Sequence, residues 1–207
     1  MTGRIVIDLF TTLDGVAQAP GGPEEDTSGG FRFGGWQAPV SDGIVGEAVR
    51  EGMADMDALL LGRRTYELFA AYWPDAPEEM PFTGLINGVT KYVASRTLSG
   101  PLTWNRSTVL DGDLVDAVTV LKDRHDSVKV IGSLDLVQSL LSERLVDRIE
   151  LWIHPVVIGT GKRVFEPGTL RTTFELLDSV TYPTGVVHLD LAVAGDPVLG
   201  DMAERGS

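Results

Sequence analysis

The stretch Ala58-Leu59-Leu60-Leu61-Gly62-Arg63-Arg64-Thr65-Tyr66, "ALLLGRRTY", decides how this chain is read. An apolar run stops at a glycine, and two arginines and a threonine follow at once. A short apolar run bounded in this way predicts a buried strand. After it, Tyr66, Phe69, Ala70 and Trp73 fall on one helical stripe, and Pro74 ends the pattern because it cannot continue the hydrogen-bond ladder. A helix that starts where a strand ends offers free backbone N–H groups and a positive dipole end, which suit an anion.

The same rhythm extends outward in both directions. Ile5 to Phe10 is apolar except for Asp8 and predicts a central strand. Thr11-Thr12-Leu13-Asp14-Gly15 follows, then a Gly- and Pro-rich segment from Ala19 to Pro39 containing Gly21-Gly22-Pro23 and Gly34-Gly35-Trp36. Long loops inside compact domains are functional lids or disordered insertions, and both readings stand here. Ser41 or Asp42 caps a helix carrying Ile44, Val45, Ala48, Val49 and Met53. Lys91–Ala94 is a strand that delivers Ser95-Arg96 at its end. Asp111-Gly112-Asp113 opens a helix with Leu114, Val118 and Leu121 aligned. Val128–Ile131 is a strand, and Gly132-Ser133 leads into a helix with Leu136, Val137, Leu140 and Leu141 apolar. Strand and helix in alternation predict an α/β fold with a mostly parallel central sheet flanked by helices.

The last third changes character. Ile149, Leu151 and Ile153 alternate with Glu150, Trp152 and His154, and Val187, Leu189, Leu191 and Val193 alternate with His188, Asp190 and Ala192. This period, around Pro183-Thr184-Gly185, predicts a C-terminal antiparallel hairpin at one sheet edge. From Gly195 the chain turns polar, which suggests a frayed tail ending in an added Gly206-Ser207.

Composition narrows the function. The 207 residues suit one domain or two very small ones, with 43% hydrophobic and 23% charged residues, as in a globular protein. There is no cysteine, which removes disulfides, thiolate metal sites and cysteine nucleophiles and fits a reducing cytoplasm. The opening residues turn strand-like too early for a signal peptide, so a cytoplasmic location is expected. A net charge of −13 repels nucleic acid and anionic lipid, so neither is an expected partner. On that background, clustered arginines gain meaning.

Several motifs are missing: G-x-G-x-x-G after a strand, the P-loop, H-E-x-x-H and G-x-S-x-G. Gly159-Thr160-Gly161-Lys162 lacks P-loop spacing, and His125, His154 and His188 lie on separate elements without ligand spacing, so no metal is expected. What remains is a pattern repeated at three strand ends: Gly62-Arg63-Arg64-Thr65, Ser95-Arg96 and Gly132-Ser133. In an open α/β sheet, ligands sit outside the carboxyl ends of the strands, and an arginine fork there matches a ribose 2′-phosphate. Each end alone is equally a cap or turn. The three together favour a nucleotide site.

These residues give the chain a resemblance, over about Ile5 to Val193, to the reductase family that groups dihydrofolate reductase with the C-terminal reductase domain of riboflavin biosynthesis. It rests on Thr12-Leu13-Asp14-Gly15, Gly62-Arg63-Arg64-Thr65-Tyr66, Ser95-Arg96, Gly132-Ser133, the segment "LVDRIELWIHPVVIGTGKRVF" and the final hairpin. The arrangement looks most like the stand-alone bacterial members. The resemblance implies a dihydrofolate reductase-like domain over residues 1–195 with a flexible tail at 196–207, NADPH as hydride donor, and a homodimer. It implies that Gly62, Arg63, Arg64 and Thr65 grip the 2′-phosphate and adenosine side, assisted by Ser95 and Arg96, and that Gly132, Ser133 and Leu134 meet the pyrophosphate. The family often has two adjacent glycines where this chain has Gly132-Ser133, and the serine hydroxyl is expected to serve the phosphates instead.

The same resemblance places Leu13-Asp14-Gly15 near the nicotinamide, with Asp14 either the proton donor or a turn residue. The dihydrofolate branch carries its carboxylate on the first long helix, where this chain has Asp42, Glu47 and Glu51 but no clear equivalent. Trp36 is either a lid over the substrate or a pin holding its loop to the core. Lys162 and Arg163 are the remaining cations for an anionic substrate. The expected activity is hydride transfer to a small polar heterocycle, pterin- or pyrimidine-like, or to a carbonyl or imine. The rival from another class is a non-catalytic NADPH-binding sensor or interaction protein of the same fold.

Overall fold

Strand β1 (Arg4–Thr12) carries Ile5, Val6, Ile7 and Leu9, all buried, so apolar side chains leave it on both faces. Such a strand is stable only at the centre of a sheet covered on each side. The computed structural model, which describes residues 2–80 and 82–202, puts it there.

The described residues form seven further strands: β2 (Ala58–Gly62), β3 (Thr90–Ala94), β4 (Ser107–Val109), β5 (Ser127–Ile131), β6 (Arg148–His154), β7 (Thr173–Thr181) and β8 (Val187–Gly195). They join one sheet in the order β4-β3-β2-β5-β1-β6-β8-β7. The strands from β4 through β6 pair in parallel, and β8 adds antiparallel to β6 and to β7. The α-helices are α1 (Gly43–Gly52), α2 (Arg63–Ala70), α3 (Thr83–Gly88), α4 (Leu114–Arg124) and α5 (Leu134–Ser142).

Side-chain alternation splits the core into two layers. Ala58 and Leu60 of β2 join Ile5, Ile7, Val128 and Val130 under α4 and α5, which contribute Val118, Leu121, Val137 and Leu140. Leu59 and Leu61 point the other way, with Ile131 and Trp152, under Val45 and Val49 of α1, Tyr66 of α2 and Ile86 of α3. Each fully buried aliphatic side chain contributes about 1.5–3 kcal/mol, so the layers hold helices on both faces. This is the mostly parallel, helix-flanked sheet expected from the strand–helix rhythm.

Local chemistry sets several boundaries. Asp42 caps α1 by accepting from the Val45 N–H at 2.8 Å, and Asp113 caps α4 through the Val115 N–H at 2.8 Å. The turn joining β7 and β8 closes with the Tyr182 N–H on the Val186 carbonyl at 2.8 Å. Gly185 takes φ 86 there, which other residues adopt only with strain.

Several expectations change in the folded chain. Ile44 is 59% exposed, because it leaves the buried stripe of α1. Helix α2 stops at Ala70, and Trp73 and Pro74 form a separate 3-10 turn, since proline is tolerated at such a start. The alternation along β6 does not mark a wet face, for Glu150, Trp152 and His154 are all buried. Strands β4 and β7 and helix α3 lacked a clear sequence period. The tail expected over 196–207 lies partly outside the described residues, as does Gly206-Ser207; Val198, Leu199 and Met202 are exposed.

Candidate cofactor and substrate cleft

A cleft of about 920 Å³ opens along the carboxyl edge of β3, β2, β5 and β1. Its size is that of an ordinary small-molecule or cofactor site. Gly62, Arg63, Arg64 and Thr65 line it after β2, Ser95 and Arg96 after β3, and Gly132, Ser133 and Leu134 after β5. These turns are distant in sequence and come together because β3, β2 and β5 are neighbours.

The helix starts at this edge differ from those elsewhere. Gly62 and Ser133 precede α2 and α5, and neither gives a side-chain cap. Their first-turn N–H groups therefore keep their capacity for an anion, whereas Asp42 and Asp113 consume it at α1 and α4. Arg63 is drawn along its own helix to Glu67 at 3.3 Å. Arg64 and Arg96 are exposed and, among the described residues, form no ion pair.

A brace fixes two of the turns relative to each other. The Ser133 Oγ accepts from the Gly62 N–H at 2.7 Å, tying the end of β2 to the end of β5. A side chain at Gly62 would put its Cβ 2.9 Å from that oxygen, so only glycine fits. Gly132 and Ser133 take φ 71 and φ 63, and the left-handed serine costs about 1–2 kcal/mol. In this bond the Ser133 oxygen only accepts, so its O–H remains able to donate to a phosphate, as expected of it. Ser95 behaves similarly, its Oγ accepting from the Thr97 and Leu98 N–H groups at 3.2 and 2.9 Å.

The loop that follows β1 forms the other wall, through Ala17 to Gly21, Glu25, Asp26 and Gln37. Gln18 organises it, donating from Nε2 to the carbonyls of Asp26 and Ser28 at 3.0 Å each. Trp36 is 7% exposed and donates its indole N–H to the Gln18 carbonyl at 2.9 Å. It meets His154 edge-on at 5.3 Å and is absent from the cleft lining. The lid reading of Trp36 gives way to the pin, because a donor buried in the protein must bond inside it.

Asp14 also lies away from the cleft. Its carboxylate accepts from Thr12 Oγ1 at 2.6 Å and from the Ile158 and Gly159 N–H groups at 3.1 and 2.8 Å. Arg163 completes the cage at 3.3 Å. The Thr12 hydroxyl, and then the two backbone donors against a burial cost, hold the carboxyl at about 2. A carboxyl held this low is charged near neutrality, and its four partners support the turn reading of Asp14 over the proton-donor reading. Leu13-Asp14-Gly15 accordingly packs on the 156–164 segment, with Leu13 N–H on the Val156 carbonyl at 2.9 Å. Asp42 caps α1 and Glu47 pairs with Arg50 there, and neither of them nor Glu51 lines the cleft.

The cations expected to meet an anionic substrate are engaged within the protein. Lys162 pairs with Asp26 at 2.7 Å, and Arg163 with Asp14. The histidines are likewise occupied or enclosed: His125 bonds the Tyr92 hydroxyl at 2.9 Å and His188 stacks on Trp152 at 4.1 Å. Among the described residues no group of three or more His, Cys, Asp or Glu could hold a metal ion, and no helix is long and apolar enough to cross a membrane.

Outside every sequence motif stands Asp8, which lines the cleft from the middle of β1 and is 2% exposed. Its Oδ1 accepts from Trp152 Nε1 at 3.0 Å, while Oδ2 has no hydrogen-bond partner. Burial, partly offset by Lys129 3.7 Å away and reinforced by the neighbouring Glu150 carboxylate, pushes the carboxyl up to about 7. A lone carboxylate inside an apolar run was the visible signal.

Residues 4–188 match the family model described as the RibD C-terminal domain. The chain belongs to that family. Among its relatives is the uncharacterized protein YyaP of Bacillus subtilis (strain 168), 27% identical over 190 residues that cover 90% of this chain and 93% of the other. Two solved structures share the fold. A putative riboflavin biosynthesis protein from Shewanella sp. PV-4 has a TM-score of 0.69 at 19% identity, covering 93% of this chain and 99% of that one. A pyrimidine reductase-like protein from Corynebacterium diphtheriae has a TM-score of 0.64 at 15% identity, covering 94% and 93%.

Proposed function

We propose that this RibD C-terminal domain protein is an NADPH-dependent reductase of a small, unphosphorylated polar heterocycle or of a carbonyl or imine group. The observation that carries the reading is the meeting on one cleft of two uncapped helix starts with Arg64 and Arg96, which form no ion pair among the described residues. Free N–H groups suit a pyrophosphate and free guanidinium groups suit a ribose phosphate. When bound, NADPH supplies the hydride. The protein's own share is to grip the phosphates with the turns after β2, β3 and β5, to orient the substrate against the β1 wall, and to exclude water between them.

The choice of an unphosphorylated substrate follows from charge. On the β1 side the cleft presents Glu25 and Asp26, and Lys162 beside them already pairs with Asp26. A phosphate placed there would meet carboxylates. The rival reading, a non-catalytic NADPH sensor, draws support from the capture of Asp14 in its clamp. We also propose a homodimer through the outer strand β7, an unpaired edge on which Leu176 is 56% exposed.

Thermal shift with each dinucleotide tests the cofactor. At a hundredfold excess over its dissociation constant NADPH adds about 2.7 kcal/mol of stability, and NADH at the same concentration is expected to give a smaller shift. Equal shifts would remove the 2′-phosphate assignment. Loss of nicotinamide absorbance across pterins, pyrimidines and aldehydes then separates enzyme from sensor.

A further inference from the structure

We propose that Asp8, in place of Asp14, is the acid of the cleft: its Oδ2 holds a proton and passes it to the nitrogen or oxygen of the group being reduced. The proposal rests on the reductase reading and names the residue that would complete it. Three observations carry it. Asp8 lines the cleft between the Gln18 wall and the strand ends that hold the phosphate-binding turns. Its side chain is almost fully buried, yet Oδ2 has no hydrogen-bond partner. Buried polar atoms in native proteins rarely stay unpartnered, and the exceptions call for a reason.

The third observation is the charge around it. Lys129 on β5 gives its short contact, 2.6 Å, to Glu150 on β6 and a second hydrogen bond of 2.9 Å to the Gly52 carbonyl at the end of α1. Arg148 on β6 grips Asp190 on β8, with Glu150 at 3.6 Å. Asp55, in the loop before β2, takes Arg4 at 2.5 Å and lies 4.0 Å from Lys129. His188 on β8 stacks on Trp152 beside them. Among the described residues, the four carboxylates Asp8, Glu150, Asp190 and Asp55 therefore share the three cations Lys129, Arg148 and Arg4. The surplus negative charge is removed by a proton, and Asp8 is the member without its own close cation.

The step balances simply. The proton leaves Oδ2 for the heteroatom of a C=N or C=O bond as the carbon takes the hydride. The π pair becomes the new N–H or O–H bond, and the carboxylate left behind regains its proton from water.

The test uses protein labelled with ¹³C at the aspartate carboxyl carbons, with the resonance missing from Asp8→Asn assigned to Asp8. The expected titration midpoint is about 7, and addition of pterin as probe should move that resonance. A midpoint below about 5, close to the ordinary carboxylate range, or no response to pterin and to the other compounds that the wild type reduces, would overturn the proposal. Asp8→Glu, whose label is likewise absent, gives the assignment if Asp8→Asn does not fold. In Asp8→Asn the NADPH thermal shift should match wild type while nicotinamide oxidation falls about a hundredfold or more. An unchanged rate overturns the role of Asp8. A wild type that shows no NADPH shift sinks the reductase reading instead, whatever Asp8 does in the titration.

Discussion

The two sides of the cleft treat charge in opposite ways. At the ends of β2 and β3, Arg64 and Arg96 stand exposed with no ion pair among the described residues, and the helix starts that open on the same cleft are uncapped. Under β1 and β6, Lys129, Glu150, Arg148 and Asp190 are paired at close range. Exposed charges are screened and contribute little to stability, so they stay available for a ligand. Buried ones must be matched, and removing one member leaves the rest uncompensated. The unpaired groups on the outer side are those we propose for binding, and the unpartnered Oδ2 of Asp8 on the inner side is the one we propose for proton transfer.

The contrast is sharpest for Lys129. Replacing it with methionine leaves Glu150 buried without its close cation and should cost about 3–5 kcal/mol in urea unfolding. A loss below about 1 kcal/mol would mean that the inner network is not held by charge. On the outer side the effects should fall on the ligand alone. Arg64→Ala and Arg96→Ala are each expected to weaken NADPH binding by about 1.5–3 kcal/mol, with NADH binding nearly constant. Unfolding free energy should stay within about 0.5 kcal/mol of wild type. Arg63→Ala, already engaged by Glu67, should show the smaller binding loss; the reverse order would redraw the phosphate grip.

Asp14→Asn tests whether that residue belongs to either side. Loss of the clamp should cost about 1–3 kcal/mol of stability without selectively lowering the proposed reductase rate of the folded protein. Because the folded carboxyl sits at about 2, below the ordinary 3.8, its contribution is present above about pH 4 and lost as pH falls toward about 2. The wild-type advantage over Asp14→Asn should therefore shrink across that interval, and a constant difference would contradict the clamp. Ser133→Gly should change least. It relieves about 1–2 kcal/mol of left-handed strain and forfeits a hydrogen bond of about 0.5–1.5 kcal/mol, leaving a net stability change within about 1 kcal/mol.

Much of this was legible along the chain. The run Ala58–Leu61 ending in Gly62-Arg63-Arg64-Thr65 announced a buried strand and a helix start, because strand burial and helix starts are local properties. Asp42 and Asp113 were readable as caps for the same reason. Strand β7 was not, since it is exposed along nearly its whole length and its residues follow no burial period. Asp14 misled because an aspartate before a glycine in a loop looks the same whether it faces a ligand or a cage of donors.

Local sequence was enough for the alternation of the parallel strands with their helices, for the glycine that closes β2, and for the points where arginines leave the sheet. Each of these depends on neighbours within a few residues. Which of the polar groups remain free was a matter for the folded chain. Whether Lys162 is free or paired with Asp26, whether Ser133 braces Gly62, and how firmly Asp14 is held depend on partners far away along the sequence. Charge and hydrogen-bonding capacity are finite, and only the assembled sheet and loops show where they have already been used.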